Sequence, residues 1–185
     1  MGQKKRVIIG ITGMPGSGKS TAIEALRSMK YPVIVMGDFI REYARKKGLE
    51  ITAKTLGKVM LQMRKEEGKD IVARLTVEAI RKLSDSVAIV DGIRSPEEVE
   101  EFKRSLSNFR LIAIHAPQKV RFRRIFKRER IDDPNTWKSF LERDHRELSV
   151  GVGTVIISAD IVVEADSIKE LRRKIKKTLK EWLSQ

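Results

Sequence analysis

The sequence predicts an α/β fold, a five-stranded parallel sheet flanked by helices and built around a phosphate-binding loop. Three observations predict it. Five short Val- and Ile-rich runs recur along the 185 residues, helical patterns separate them, and a glycine-rich loop joins the first run to the first helix. Nearly continuous apolar runs mark strands covered on both faces. Their alternation with helices gives a parallel sheet.

The strands are expected at Arg6–Thr12, Pro32–Met36, Ser86–Asp91, Phe109–His115 and Asp160–Glu164. A first helix over Lys19–Met29 carries Ile23, Leu26 and Met29 on one side. Thr52–Leu83 divides into two helices. One is marked by Leu56, Val59, Met60 and Met63, with those apolar side chains assigned to the core. The other is marked by Ile71, Leu75, Ala79 and Leu83. A helix over Ser95–Leu106 opens with an N-cap serine, a proline at its first position and a capping-box glutamate, Glu98. The last helix, Ser167–Leu183, spaces Ile168, Leu171, Ile175, Leu179 and Trp182 along one stripe. Residues 37–84 and 119–153 exceed what a crossover needs, which suits segments that cover a site. The chain reads as a single domain, 1–185, without repeats or an interdomain linker.

Composition narrows the chemistry. Cysteine is absent, which excludes disulfides, thiolate metal sites and cysteine nucleophiles. The two histidines, His115 and His145, are far apart in sequence. His115, at the end of its strand, is expected to be packed or hydrogen-bonded and not a catalyst, and His145 to be exposed among charges. No apolar run reaches membrane-span length, and the basic N-terminus leads into a strand, so a cytoplasmic protein is expected with no membrane partner. The formal net charge of +14 attracts phosphates, on nucleotides or on nucleic acid. Few asparagines and many Lys, Arg and Glu fit a thermophile.

The chemistry-bearing motif is Gly13-Met14-Pro15-Gly16-Ser17-Gly18-Lys19-Ser20, GxxxxGK[ST] between a strand and a helix. Its glycines let backbone N–H groups turn around phosphate oxygens. The following helix adds its positive end. Lys19 is placed to reach the β- and γ-phosphates of ATP, and Ser20 to join a Mg²⁺ shell. The expected nucleotide contacts run through Thr21. Asp91 ends the third strand and is the second candidate for the Mg²⁺ shell. Asp38 is expected to cap a helix after the second strand, with Arg41 in its first turn. Arg41 and Arg94, with Gly92, would meet a second anion at the carboxyl edge of the sheet. From Gln118 onward, Arg121, Arg124 and Arg128 fall on one helical side, and Arg143 follows. Arginines on a closing segment stabilise charge in phosphoryl transfer.

Together these motifs resemble the P-loop nucleoside monophosphate kinases over nearly the whole chain. Gly37-Asp38-Phe39-Ile40-Arg41 is similar to the GDxxR segment of adenylate kinases, whose arginine binds the acceptor phosphate. Asp91-Gly92-Ile93-Arg94 resembles their DGxPR segment, with the proline missing and the arginine one place early. Arg124–Arg128 resembles the RxxxR helix that packs on the ATP base and phosphates, and Arg130-Ile131-Asp132-Asp133 the RxDD stretch after it. The opening IIGITGMPGSGKS resembles dephospho-CoA kinases. The run DDPNTWKSFLERDHRELSVGVGTVIISAD resembles an archaeal group described as adenylate-kinase-related or dephospho-CoA-kinase-like. The resemblance implies a P-loop NTPase fold of the nucleoside monophosphate kinase type with strand order 2-3-1-4-5. It also implies an acceptor-binding helical insertion over 37–84 and a short lid within 119–153.

Three functions are expected in order. The first is ATP- and Mg²⁺-dependent transfer to a nucleoside monophosphate such as AMP, with Lys19, Arg94, Arg128 and Arg143 sharing the charge. The second is transfer to a ribose hydroxyl, as in dephospho-CoA, with Asp38 as base. The third is a nucleotide-binding regulator or RNA-associated protein, supported by the basic terminal helix from Lys169 to Lys180. Its support is the weakest, because aromatics for base stacking are sparse.

Overall fold

The computed structural model describes residues 6–128 and 133–184. Five strands form one all-parallel sheet: β1 (Val7–Thr12), β2 (Val33–Val35), β3 (Val87–Asp91), β4 (Phe109–His115) and β5 (Ile161–Glu164), in the order β2-β3-β1-β4-β5. The expected strand order is observed. β1 is central, and Ile9 lies between Ile89 of β3 and Arg110 of β4 in register.

Alternation along the strands separates two apolar layers. Ile8, Ala88, Val90 and Leu111 face one side. They are covered by α2 (Met36–Lys46), α3 (Ala53–Glu67), α4 (Ile71–Arg81), α5 (Pro96–Ser105) and α8 (Val152–Ile157). Ile9, Ile11, Ile89, Ile112 and Ile114 face the other, against α1 (Lys19–Arg27) and α9 (Ile168–Leu183). Val59 and Met63 of α3 are fully buried, as core residues should be. The two remaining helices, α6 (Gln118–Arg128) and α7 (Trp137–Val150), follow β4 at the carboxyl edge of the sheet.

Local chemistry sets the helix starts. Ser95 is extended before Pro96, and the Glu98 carboxylate accepts from the backbone N–H of Ser95 and of Arg94. Thr52, Thr136 and Ser167 cap α3, α7 and α9 through their hydroxyls. Asp38 departs from its expected capping role. β2 runs into α2 without a loop, so Val35 is the N-cap and Asp38 lies inside the first turn. His115 also departs from expectation. It is the last residue of β4, opposite Glu164, and its side chain is exposed with Nε2 3.7 Å from the Glu164 carboxylate. His145 is exposed, as expected.

Phe102 sits at the middle of the first layer with no exposed surface, stacked on Phe109 at 5.2 Å between ring centroids. Phe102→Ala is expected to cost about 3–5 kcal/mol in urea unfolding. A loss below about 1 kcal/mol would contradict this packing.

Candidate functional site

The site grows from the end of β1. Gly13, at φ 145°, continues the strand into a turn so close to β4 that a Cβ would lie 2.3 Å from the Ile114 carbonyl oxygen. At Gly16, φ 79°, a Cβ would meet the Arg121 carbonyl oxygen at 2.6 Å. Only glycine fits either position, and the loop leaves the first amides of α1 facing a cavity.

Cationic side chains fix the loop. Lys19 Nζ donates to the carbonyls of Gly13 (2.6 Å) and Met14 (3.1 Å). From α6, Arg121 donates to the Pro15 carbonyl at 3.1 Å and Arg124 to that of Ser17 at 2.9 Å. The buried Asp144 of α7 holds Arg121 with both carboxylate oxygens, and the guanidinium lies over the Phe140 ring. On the other side, Thr12 Oγ1 donates to the Ile93 carbonyl at 2.9 Å, tying the end of β1 to the segment after β3.

The cavity has a volume of about 470 Å³, within the range of small-molecule sites. Its floor is Gly13, Pro15, Gly16, Gly18, Lys19, Ser20 and Thr21. Gly92, Ile93 and Arg94 form one wall, and Arg124, Arg128, Arg143 and Glu147 another. Ser167, Ile168 and Leu171 close the third side from the start of α9.

Most of the expected site residues therefore converge. Met14 and Ser17 are buried behind the loop and do not line the cavity. Asp91 ends β3 beside the cavity, close enough for its carboxylate and the Lys19 ammonium to influence each other's charge. Arg121 is absorbed by its pair with Asp144 rather than lining the cavity with Arg124 and Arg128. Asp38 and Arg41 pair with each other (3.0 and 2.5 Å) and do not line the cavity. Arg130 and Asp132 lie outside the described residues.

Sequence reasoning missed Glu147. Its carboxylate accepts from Arg94 Nη1 at 2.9 and 3.0 Å inside the cavity. Asp133 plays a parallel part. Its side chain is almost buried, takes two 2.6 Å bonds from Arg128 and sits 3.2 Å from Arg143. An acid within a charged helix gives no sequence signal for Glu147, whereas Asp133 lay in a motif the sequence displayed.

The charges shape one another. Burial pushes the Lys19 ammonium down to about 8, helped by the Arg94 guanidinium, while Asp91 and Glu147 oppose the shift. Burial raises the Asp91 carboxyl, and Lys19 and Arg94 oppose that. The loop fits nucleotide phosphates, since its glycines leave a cradle that side chains would fill. Ser20, exposed at the start of α1, and Asp91 supply hard oxygen donors of the kind Mg²⁺ takes.

The model of an AAA domain matches residues 12–140. A UPF0200 protein of Pyrococcus horikoshii is 45% identical over 96% of this chain and 98% of its own length. A UPF0200 protein of Thermococcus kodakarensis is 40% identical over 97% and 100%. Among solved structures, shikimate kinase from Acinetobacter baumannii in complex with shikimate superposes at a TM-score of 0.61, with 14% identity over 98% of this chain and 95% of its own. A gluconokinase from Sinorhizobium meliloti gives 0.55, with 15% identity over 97% and 94%. The fold is thus the P-loop kinase fold. No described helix is long and apolar enough to cross a membrane.

Lys19 gives a pH test. With its value near 8, the free protein loses this proton between about pH 7 and 9, and phosphates packed around the amine would restore it. ATP binding is therefore expected to take up more proton at pH 9 than at pH 7, read by calorimetry in buffers of different ionisation enthalpy. Equal uptake at both would contradict the shift.

Proposed function

The chain belongs to the UPF0200 family, and from its P-loop kinase fold and the cavity we propose an ATP- and Mg²⁺-dependent phosphotransferase that acts on a nucleoside monophosphate such as AMP. The observation that carries the proposal is the convergence of Lys19, Arg94, Arg124, Arg128 and Arg143 on one glycine cradle. So many cations facing one cavity suit two phosphorylated ligands better than one.

In this reading the backbone amides after Gly13 hold the β-phosphate, and Lys19 neutralises charge that builds on the β–γ bridging oxygen. Arg124 and Arg128 meet the donor phosphates from α6. Arg94, with Gly92 beside it, orients the acceptor phosphate from the end of β3, and Arg143 shares the charge of the transferring group. Ser20 and Asp91 would hold Mg²⁺, whose charge offsets that of the β- and γ-oxygens. An acceptor phosphate oxygen forms the new bond to the γ-phosphorus. The bond to the β–γ oxygen breaks, and ADP departs with the electron pair. The acceptor oxygen is already ionised, so no base is required. The segment over 37–84 would hold the acceptor and that over 119–153 would exclude water.

The Asp38–Arg41 pair supports a phosphate acceptor over a hydroxyl. A base for a ribose hydroxyl must reach the acceptor, whereas Asp38 is largely exposed and bound to Arg41.

The test is transfer of labelled γ-phosphoryl from ATP with Mg²⁺ to AMP, CMP, UMP, GMP and dephospho-CoA. A labelled nucleoside diphosphate is expected, lost by at least about a hundredfold in Lys19→Ala. Labelled CoA would replace this reading with hydroxyl transfer. ATP binding without any labelled product would favour the regulatory alternative.

A further inference from the structure

The outer face of α6 carries chemistry that the cavity does not use. Arg121 and Ile125 pack inward, and Arg124 and Arg128 turn to the cavity. Lys119, Arg123 and Lys127 recur every fourth residue and therefore form a row with steps of about 6 Å along the axis. All three are exposed and make no ion pair among the described residues. Like charges so spaced repel one another and weaken a helix. On the other basic helix, α9, Arg172 pairs with Glu24, Lys174 with Glu170 and Lys177 with Glu181, while Lys169, Arg173, Lys176 and Lys180 make no ion pair among the described residues. What sets the α6 row apart is the exposed aromatic surface next to it.

Beside the row stands an aromatic strip. Phe122 and Phe126 are 5.9 Å apart between ring centroids, and Trp137 of α7 meets Phe122 edge-on at 5.0 Å. The inner end of this cluster is the buried Phe140, but Phe126 remains 55% and Trp137 40% exposed. The sequence disperses these residues over two helices, and only the fold brings the rings to the edge of the cation row.

We propose that this face of α6, with Trp137, binds single-stranded nucleic acid. Lys119, Arg123 and Lys127 meet successive phosphates, and Phe126 and Trp137 stack on bases. Cations that track a backbone beside open aromatic faces are what a single strand requires. An acidic protein surface would match the cations and leave the rings without partners. The proposal is independent of phosphoryl transfer, because none of these five side chains lines the nucleotide cavity.

The test is a fluorescence titration with oligouridylate across a salt series. It uses Trp182→Phe protein, so that Trp137 is the only tryptophan. Quenching of Trp137 is expected, with a log–log salt slope of about −2 for three phosphates. The double variant Arg123→Ala/Lys127→Ala, altered only at exposed positions, should reduce the slope to about −0.7. Phe126→Ala should weaken binding at least about fivefold. Saturating ATP should leave binding intact. Absence of quenching, a slope unchanged in the double variant, or displacement of the RNA by ATP would each overturn the proposal. The last would mean that the strand merely occupies the phosphate loop.

Discussion

The close approach of the Gly13 backbone to the Ile114 carbonyl is the constraint on which the site depends. It brings the end of the central strand against its neighbour and turns the chain into a loop that only glycine can follow. Burial of β1 on both faces makes this turn rigid, because Ile8, Ile9 and Ile11 have no room to shift. The loop is then shaped from outside as well. Lys19, Arg121 and Arg124 all donate to its carbonyls, and the Ser17 N–H closes on the Met14 carbonyl at 3.1 Å, so the loop is held from both sides. A single pair, Arg121–Asp144, couples α6, α7 and the loop. Because the pair is buried, loss of one partner would strand a charge and disturb all three.

A second theme is the supply of internal counter-ions. Glu147 holds Arg94, and Asp133 holds Arg128 beside Arg143. Arginines crowded around one cavity would otherwise repel each other and swing into solvent. Carboxylates keep their planar forks oriented and can yield them to a phosphate, which accepts the same bidentate geometry with more charge. Burial lowers the Lys19 ammonium most, and the neighbouring Arg94 guanidinium adds to the shift.

Much of this was legible in the sequence. Continuous apolar runs announced the parallel strands, and GxxxxGK[ST] at a strand–helix junction announced the loop to the residue. The capping box at Ser95 and Glu98 was visible, and the structure adds that Glu98 also fixes the backbone of Arg94. Three-dimensional pairing was not legible. Arg121 shares a helical side with Arg124 and Arg128, yet a carboxylate twenty-three residues away claims it. Glu147 looks like any acid of an exposed helix until Arg94 is placed opposite. Asp38 lies in the first turn of α2 and not at its cap, because β2 ends at Val35 and α2 begins at Met36. The aromatic edge of α6 is hidden in the sequence for a similar reason. Its rings come from separate helices, and overall aromatic content conceals their proximity.

The most direct measurement is a crystal structure of the protein with a non-hydrolysable ATP analogue, Mg²⁺ and AMP. The account expects Arg94 to leave the Glu147 carboxylate for a phosphate, with Arg124 and Arg128 on the donor phosphates and Lys19 released from the Gly13 carbonyl. A complex in which the nucleotide binds while Arg94 stays on Glu147 and Lys19 stays on the loop would contradict it.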